Sequence, residues 1–316
     1  MNAPFALVEA RAPGKIILAG EHAVVYGRPA LAVPVFGVRA RALVTRTTGP
    51  SWIFAPAVGV DAPLASLEPE HPLRRTVHLA ETVLGPLPPV VIRILSDIPV
   101  AAGLGSGAAV AVAVLRSLAG FVGQALPPEE LNALAYEIEK LHHGTPSGID
   151  NTVITYARPI LYRRGAGWQP LQVRRSVPLV IADSGRKAST RQMVAGVRAR
   201  REAAPRRYDA LFDAIAQTVG VVQASLASGD FLRLGRALRR NHDLLAEMGV
   251  STPELDALVA AACAAGAYGA KLAGAGGGGN VVAVTPPDHQ ERVARALRAA
   301  GATRVITTWV PSTEDV

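Results

Sequence analysis

Between Ile98 and Leu115 the chain runs for 18 residues without a charge. A stretch of that length and character has two solutions: a helix across a bilayer, or a loop feeding a helix buried in a large core. Pro99, Gly103, Gly105 and Gly107 stand near its start, and alanine and valine fill most of the rest. A continuous spanning helix would be broken there, because lipid offers no partner to freed backbone groups. The stretch therefore reads as a glycine-rich loop running into a buried helix over Gly105–Gly123. The chain has 316 residues, enough for one large domain or two moderate ones, and its 49% apolar and 18% charged content is that of a globular protein.

Several function classes fall away on composition. One cysteine, Cys263, excludes an internal disulfide and a Cys-rich zinc site. The segment Met1–Ala6 lacks the basic start and apolar run of a signal peptide, so a cytoplasmic location without a membrane is expected. The net charge of +8 raises nucleic acid as a partner, but the arginines are scattered over helix faces and aromatics are only 5%, too few for a base-stacking platform. No nucleic-acid partner is expected. Only Lys15, Lys140, Lys187 and Lys271 are lysines among 33 basic residues. Where arginine is the default, a retained lysine points to a need for a compact ammonium. Lys15 and Lys271 both stand beside glycine-rich segments.

Periodicity predicts strands at Leu7–Ala12, Lys15–Ala19, Val35–Thr47 and Val90–Leu95, and helices at Pro72–Leu84 and Pro128–His142. The second half opens with a strand at Pro178–Ala182. Helices follow at Thr190–Ala203, Tyr208–Ala227, Phe231–Met248 and Pro253–Ala265. The end reads strand, glycine loop, strand, helix, strand, which is half of a split βαβ sandwich. Gly165, Gly167 and Pro170 suggest a soft boundary near Arg163–Val177, so the expected domains are residues 1–170 and 171–316.

Four segments carry candidate chemistry. In Pro99-Val100-Ala101-Ala102-Gly103-Leu104-Gly105-Ser106-Gly107-Ala108-Ala109, glycines and a helix start would let backbone N–H groups approach an anion. It is neither a Walker A loop nor a complete GxGxxG, and alone it fits a structural turn equally well. In Ala12–Gly27, Lys15 and the Gly20-Glu21-His22 turn bracket an apolar strand, which is also how a strand with solvated ends would look. In Glu139–Asn151, two carboxylates flank a Gly/Pro/Ser loop. Glu139 and Asp150 could divide metal binding and proton transfer between them, or Asp150 could simply cap a helix. His142 and His143 lack a second zinc-spaced partner. In Lys271–Asn280, five glycines in six residues mean that the backbone passes very close to a ligand or to another loop.

Together, in this order, the segments Ala12–Gly27, Pro99–Ala109 and Lys271–Gly279 resemble the three motifs of the GHMP kinase superfamily over nearly the whole chain. His143-Gly144-Thr145-Pro146-Ser147-Gly148-Ile149-Asp150-Asn151 and Ser189–Arg198 look most like the mevalonate kinase family within it. The resemblance implies an α+β fold, with an N-terminal half like ribosomal protein S5 domain 2, a ferredoxin-like C-terminal half, and the site between them. It implies ATP and Mg²⁺ as cofactors, ATP-dependent phosphorylation of the 5-hydroxyl of mevalonate, and leaves room for a homodimer. By position, Asp150 would be the catalytic base and Lys15 would stand near the hydroxyl and γ-phosphate. Pro99 to Ala108 would wrap the ATP phosphates, with Glu139 and Ser106 toward the metal. Glu21, His22, Arg164, Thr190 and Gly276 would surround mevalonate, with Arg163 a rival to Arg164 for its carboxylate.

One departure matters. The family pattern has a second serine where this chain has Gly107, so a metal ligand is missing and Ser106, a water or Glu139 alone must take its place. Another GHMP kinase acting on phosphomevalonate or a related sugar or acid is the close alternative. A non-catalytic nucleotide or metabolite sensor is the distant one, and the retained Lys15, Glu139 and Asp150 argue against it.

Overall fold

The computed structural model describes residues 7–100, 102–143 and 146–315. The chain divides into two compact units: residues to Lys15 with Val38–Ala157, and Ile16–Gly37 with the chain from Arg158 onward. The division differs from the expected 170/171 boundary in two ways. An early segment, Ile16–Gly37, belongs with the C-terminal half. The Gly165–Pro170 cluster is a hairpin inside the second unit, not a linker: β6 (Ile160–Arg163) turns into β7 (Gly167–Pro170), with Arg163 opposite Gly167. Glycines at φ 81° and 83° make that turn, which is why their composition imitates a linker.

In the first unit, β1 (Val8–Ala19) enters through Pro13-Gly14 without a break. The distal part of β2 (Pro29–Arg46) buries Val38, Ala40, Ala42 and Val44 on one face and pairs antiparallel with β5 (Val90–Ser96), Ala40 opposite Ser96. Two short strands extend this sheet: β3 (Trp52–Ala55), parallel to β5, and β4 (Val60–Pro63), antiparallel to β3. Neither was legible in the sequence. Among the described residues, four α-helices complete the unit: α1 (Pro72–Leu84), α2 (Ser106–Phe121), α3 (Pro128–His143) and α4 (Ile149–Tyr156). The uncharged stretch resolves as expected, into a loop and α2. Ala108, Ala109, Val112, Val114, Leu115 and Leu118 of α2 are buried.

In the second unit, the proximal end of β2 pairs with β6, Pro29 opposite Arg163. Downstream come β8 (Val177–Asp183), α5 (Thr190–Ala203), α6 (Pro205–Ser228), α7 (Phe231–Glu247), α8 (Pro253–Ala264), β9 (Gly269–Ala273), β10 (Asn280–Val284), α9 (Gln290–Ala299) and β11 (Arg304–Val310). The four strands lie in the order β11-β8-β10-β9, all pairs antiparallel. Counted along the chain this is the 4-1-3-2 order of a ferredoxin-like sheet. Its core joins Val180, Leu272 and Val281 to Phe212, Leu245 and Leu258 from the helices. Helix α6 is long and apolar enough to cross a membrane, but its Leu211, Phe212, Ile215, Val219 and Val222 are buried in this core.

Candidate active site

The first unit gathers Lys15, Glu139 and Asp150. Lys15 lies on β1, and its N–H donates to the carbonyl of Leu104 at 3.0 Å, which ties the strand to the glycine-rich loop. Its side chain is buried and reaches the Asp150 carboxylate at 3.1 Å. Asp150 is the second residue of α4. The cap of that helix is Gly148 at φ 89°, so the plain capping role does not apply. Glu139 projects from α3, is 3% exposed, and has its pKa pushed up to about 7. Burial is the main cause. The Asp150 carboxylate adds to it, and the Lys15 ammonium partly offsets both.

The glycine-rich loop ends at Gly105, the N-cap of α2, at φ 73°. A Cβ there would stand 2.7 Å from Ile154 Cδ1 and 3.0 Å from Lys15 Cγ. The cap has no side chain, and the first internal bond runs from Ala109 N–H to Gly105 O. The N–H groups of Ser106, Gly107 and Ala108 therefore lie ahead of the helix's own hydrogen bonds, beside a lysine, which is an arrangement that stabilises phosphate. Leu104 is buried, so it has only backbone to offer, and Val100 is half-exposed. Ala101, expected in the phosphate loop, lies outside the described residues, as do Gly144 and Thr145.

The second unit gathers Glu21, His22 and Lys271. The Lys271 ammonium donates to Glu21 Oε1, and neither side chain is more than 1% exposed. His22 Nε2 lies 2.9 Å from the carbonyl of Ala275. A carbonyl only accepts, so Nε2 carries the hydrogen and Nδ1 of the neutral ring is left as an acceptor. Burial holds the His22 pKa below its usual value, and Arg200 adds to that. The backbone at His22 is left-handed (φ 59°, ψ −47°), and Ala23 N–H closes on Glu21 O at 2.6 Å. This is a γ-turn of the rare, strained kind.

Three of the five glycines have close neighbours in the same unit, while a Cβ on Gly274 or Gly279 would meet nothing within 4 Å. A Cβ on Gly276 would stand 2.1 Å from Val250 O, one on Gly277 2.7 Å from Met193 Sδ, and one on Gly278 2.2 Å from Arg186 O. Gly277 and Gly279 also donate to the carbonyls of Val250 and Arg186. Thr190 is exposed at the start of α5. Arg164 is exposed in the β6–β7 turn, one residue past Arg163, and no hydrogen bond or ion pair joins it to Glu21 or His22. The sequence singled out Lys271 as a scarce lysine beside a glycine-rich segment; the partner it serves lies 250 residues away.

Among the described residues, no three His, Cys, Asp or Glu side chains converge as a ready-made metal cage. Magnesium does not require one, since it commonly takes one or two carboxylates with waters and substrate phosphates. Glu139 fits that role: its buried carboxylate faces a second one, and a cation would relieve the repulsion that raises its pKa.

Comparison with known proteins gives the family. The chain matches the GHMP kinases N terminal domain over residues 72–158 and the GHMP kinases C terminal domain over residues 222–303. It is 37% identical to the mevalonate kinase of Thermococcus sibiricus and 35% identical to that of Pyrococcus abyssi, over 95% of each chain in both cases. It superposes on the crystal structure of L. major mevalonate kinase in complex with R-mevalonate with a TM-score of 0.84, at 28% identity and 96% coverage of both chains. With the fold and both motif-bearing domains in place, the chain belongs to the GHMP kinase family, alongside the mevalonate kinases.

Proposed function

We propose that the chain transfers the γ-phosphoryl group of ATP to the 5-hydroxyl of mevalonate, giving 5-phosphomevalonate for isoprenoid precursor synthesis. Likeness to mevalonate kinases along nearly the whole chain supports the substrate. The observation that carries the chemistry is the Lys15–Asp150 pair at 3.1 Å beside the start of α2. Asp150 takes the hydroxyl proton as oxygen attacks phosphorus. The Lys15 ammonium offsets the negative charge that gathers on the transferring group. The free N–H groups at the start of α2, with the backbone from Pro99 to Ala108, receive the ATP phosphates.

Glu139 holds Mg²⁺, with Ser106 at the helix start as the second candidate now that Gly107 offers no side chain. Held there, the ion would supply positive charge against the phosphate oxygens. In the second unit Glu21 and His22 receive the acid substrate, with Thr190, Gly276 and Arg164 as further contacts. ATP is an intracellular metabolite, and the same reading places the chain in the cytoplasm.

The test is ADP release with and without Mg²⁺ over a panel of mevalonate, phosphomevalonate and sugars. Mevalonate should be the preferred acceptor; a sugar or phosphomevalonate as the only good acceptor overturns the substrate. Asp150→Asn should lower kcat by about 10²–10⁴-fold while ATP binding is retained. Normal turnover in that variant removes Asp150 from the base role.

A further inference from the structure

Lys271 is fully buried, on the central stretch of β9, and burial holds its pKa below the ordinary lysine value. An ammonium in that position is costly to keep, and a leucine or methionine of similar volume would fill β9 without the penalty. What it touches explains its presence. It donates to Oε1 of Glu21, whose other oxygen, Oε2, is buried without a hydrogen-bond partner. Glu21 is the first residue of the γ-turn that holds His22 at φ 59°, and the far side of that turn is fixed by His22 Nε2–H on Ala275 O. Ala275 follows β9 by two residues, in the glycine loop. The turn is thus pinned at both ends of one short segment, Lys271 to Ala275. A strained turn persists only when its surroundings over-determine it, and these two side-chain bonds add to the local backbone bonds from Val24 N–H to Gly20 O at 3.1 Å and from Val25 N–H to His22 O at 3.0 Å.

We propose that Lys271 is a positioning residue, whose buried ammonium fixes Glu21 through Oε1, leaves Oε2 as the acceptor for a substrate hydroxyl, and thereby holds the His22 turn in its binding arrangement. The inference rests on the reading above, in which Glu21 and His22 meet the substrate. The charged and titratable groups around the pair are few. His22 adjoins Glu21 on the turn, Arg200 of α5 faces His22, and His242 of α7 faces Lys271. Lys271 is the one among them whose ion pair with Glu21 is direct. Without it the buried carboxylate would lose its direct counter-charge and the bond that fixes Oε1.

The experiment compares the wild-type chain with Lys271→Met, Glu21→Leu and the double variant. In Lys271→Met, KM for mevalonate should rise about tenfold or more with KM for ATP unchanged. In the Glu21→Leu background the same substitution should add less than about twofold to KM. A second readout needs no turnover. Long-range ¹H–¹⁵N spectra of the histidine rings should show His22 as a neutral Nε2–H tautomer in wild type. Both single variants should lose that signal.

Failure of the wild type to phosphorylate mevalonate would sink the substrate reading alone, and the His22 ring would still decide the role of Lys271. Wild-type His22 signals in Lys271→Met, with mevalonate KM unchanged and only a lower melting temperature, would reduce the lysine to a structural ion pair. Should Lys271→Met fail to fold, Glu21→Leu removes the acceptor and breaks the same bond from the other end, and unchanged His22 signals there overturn the proposal equally.

Discussion

Glu139 shows how much of a residue's chemistry is set by its neighbours. Its pKa of about 7 means that at neutral pH the carboxylate is half protonated before any cation arrives. Metal binding requires the ionised form, so if Glu139 holds the cation as proposed, protons and Mg²⁺ would compete for the same oxygens. With that pKa, the ionised fraction falls from about nine-tenths at pH 8 to about one-tenth at pH 6. The Mg²⁺ concentration for half-maximal activity should therefore rise about tenfold over that range. Glu139→Gln should need more Mg²⁺ throughout and lose most of the pH trend. A flat profile in the wild-type enzyme would move the metal away from Glu139. The identities Lys15, Glu139 and Asp150 were legible in the sequence, because carboxylates flanking a loop and a rare lysine beside glycines are local signals. The raised pKa was not. It depends on burial by α3 packing and on Asp150, and burial exists only once the chain has folded.

At the scale of elements, legibility followed periodicity and length. Helices α1 and α5 have their sequence-predicted ends, since Pro72 and a Ser189 cap mark their starts and the apolar stripes are regular. Strands β3, β4, β6 and β7 are four residues each, too short to show alternation, and two of them flank a glycine turn. The glycine loop after β9 was read as a close approach to a ligand or another loop, and three of its glycines, Gly276, Gly277 and Gly278, lie against Val250, Met193 and Arg186. Gly105 is the contrasting case, where two requirements meet at one joint between loop and helix. Its φ of 73° disfavours any side chain, and a Cβ would press on Lys15 and Ile154. Gly105→Ala should cost about 1–3 kcal/mol of stability from backbone strain and contact. It should also displace the Lys15 side chain, so kcat should fall about tenfold or more, beyond anything a stability change alone produces at 25 °C. Wild-type kcat with a lowered melting temperature would separate the helix joint from the lysine's placement.

For the whole molecule the two units carry opposite pH dependences. In the second unit, burial holds His22 and His242 below the ordinary value of 6.5. His242 accepts from Leu272 N–H through Nδ1 and lies 3.1 Å from Asp256 through Nε2, so a second ring proton would break the bond to β9. A group with a depressed folded pKa binds more protons when unfolded. The stability it contributes is present above pH 6.5 and is lost as pH falls through that value toward the folded one. In the first unit Glu139 works the other way, because its folded pKa of about 7 lies above the ordinary 4.5. There the folded form binds the extra proton, and stability is gained as pH falls from 7 toward 4.5. Acidifying the metal-free, nucleotide-free protein from pH 7.5 to 5.5 should therefore loosen the second unit relative to the first. Amide hydrogen exchange, corrected for its intrinsic pH dependence, reads this element by element. Protection in α7 and β9 should fall while that in α2 and α3 holds or rises. Loss of protection first in α2 and α3 would mean that other groups in the first unit outweigh Glu139. The same carboxylate would then be a poorer seat for the cation than its burial and its acidic neighbour imply.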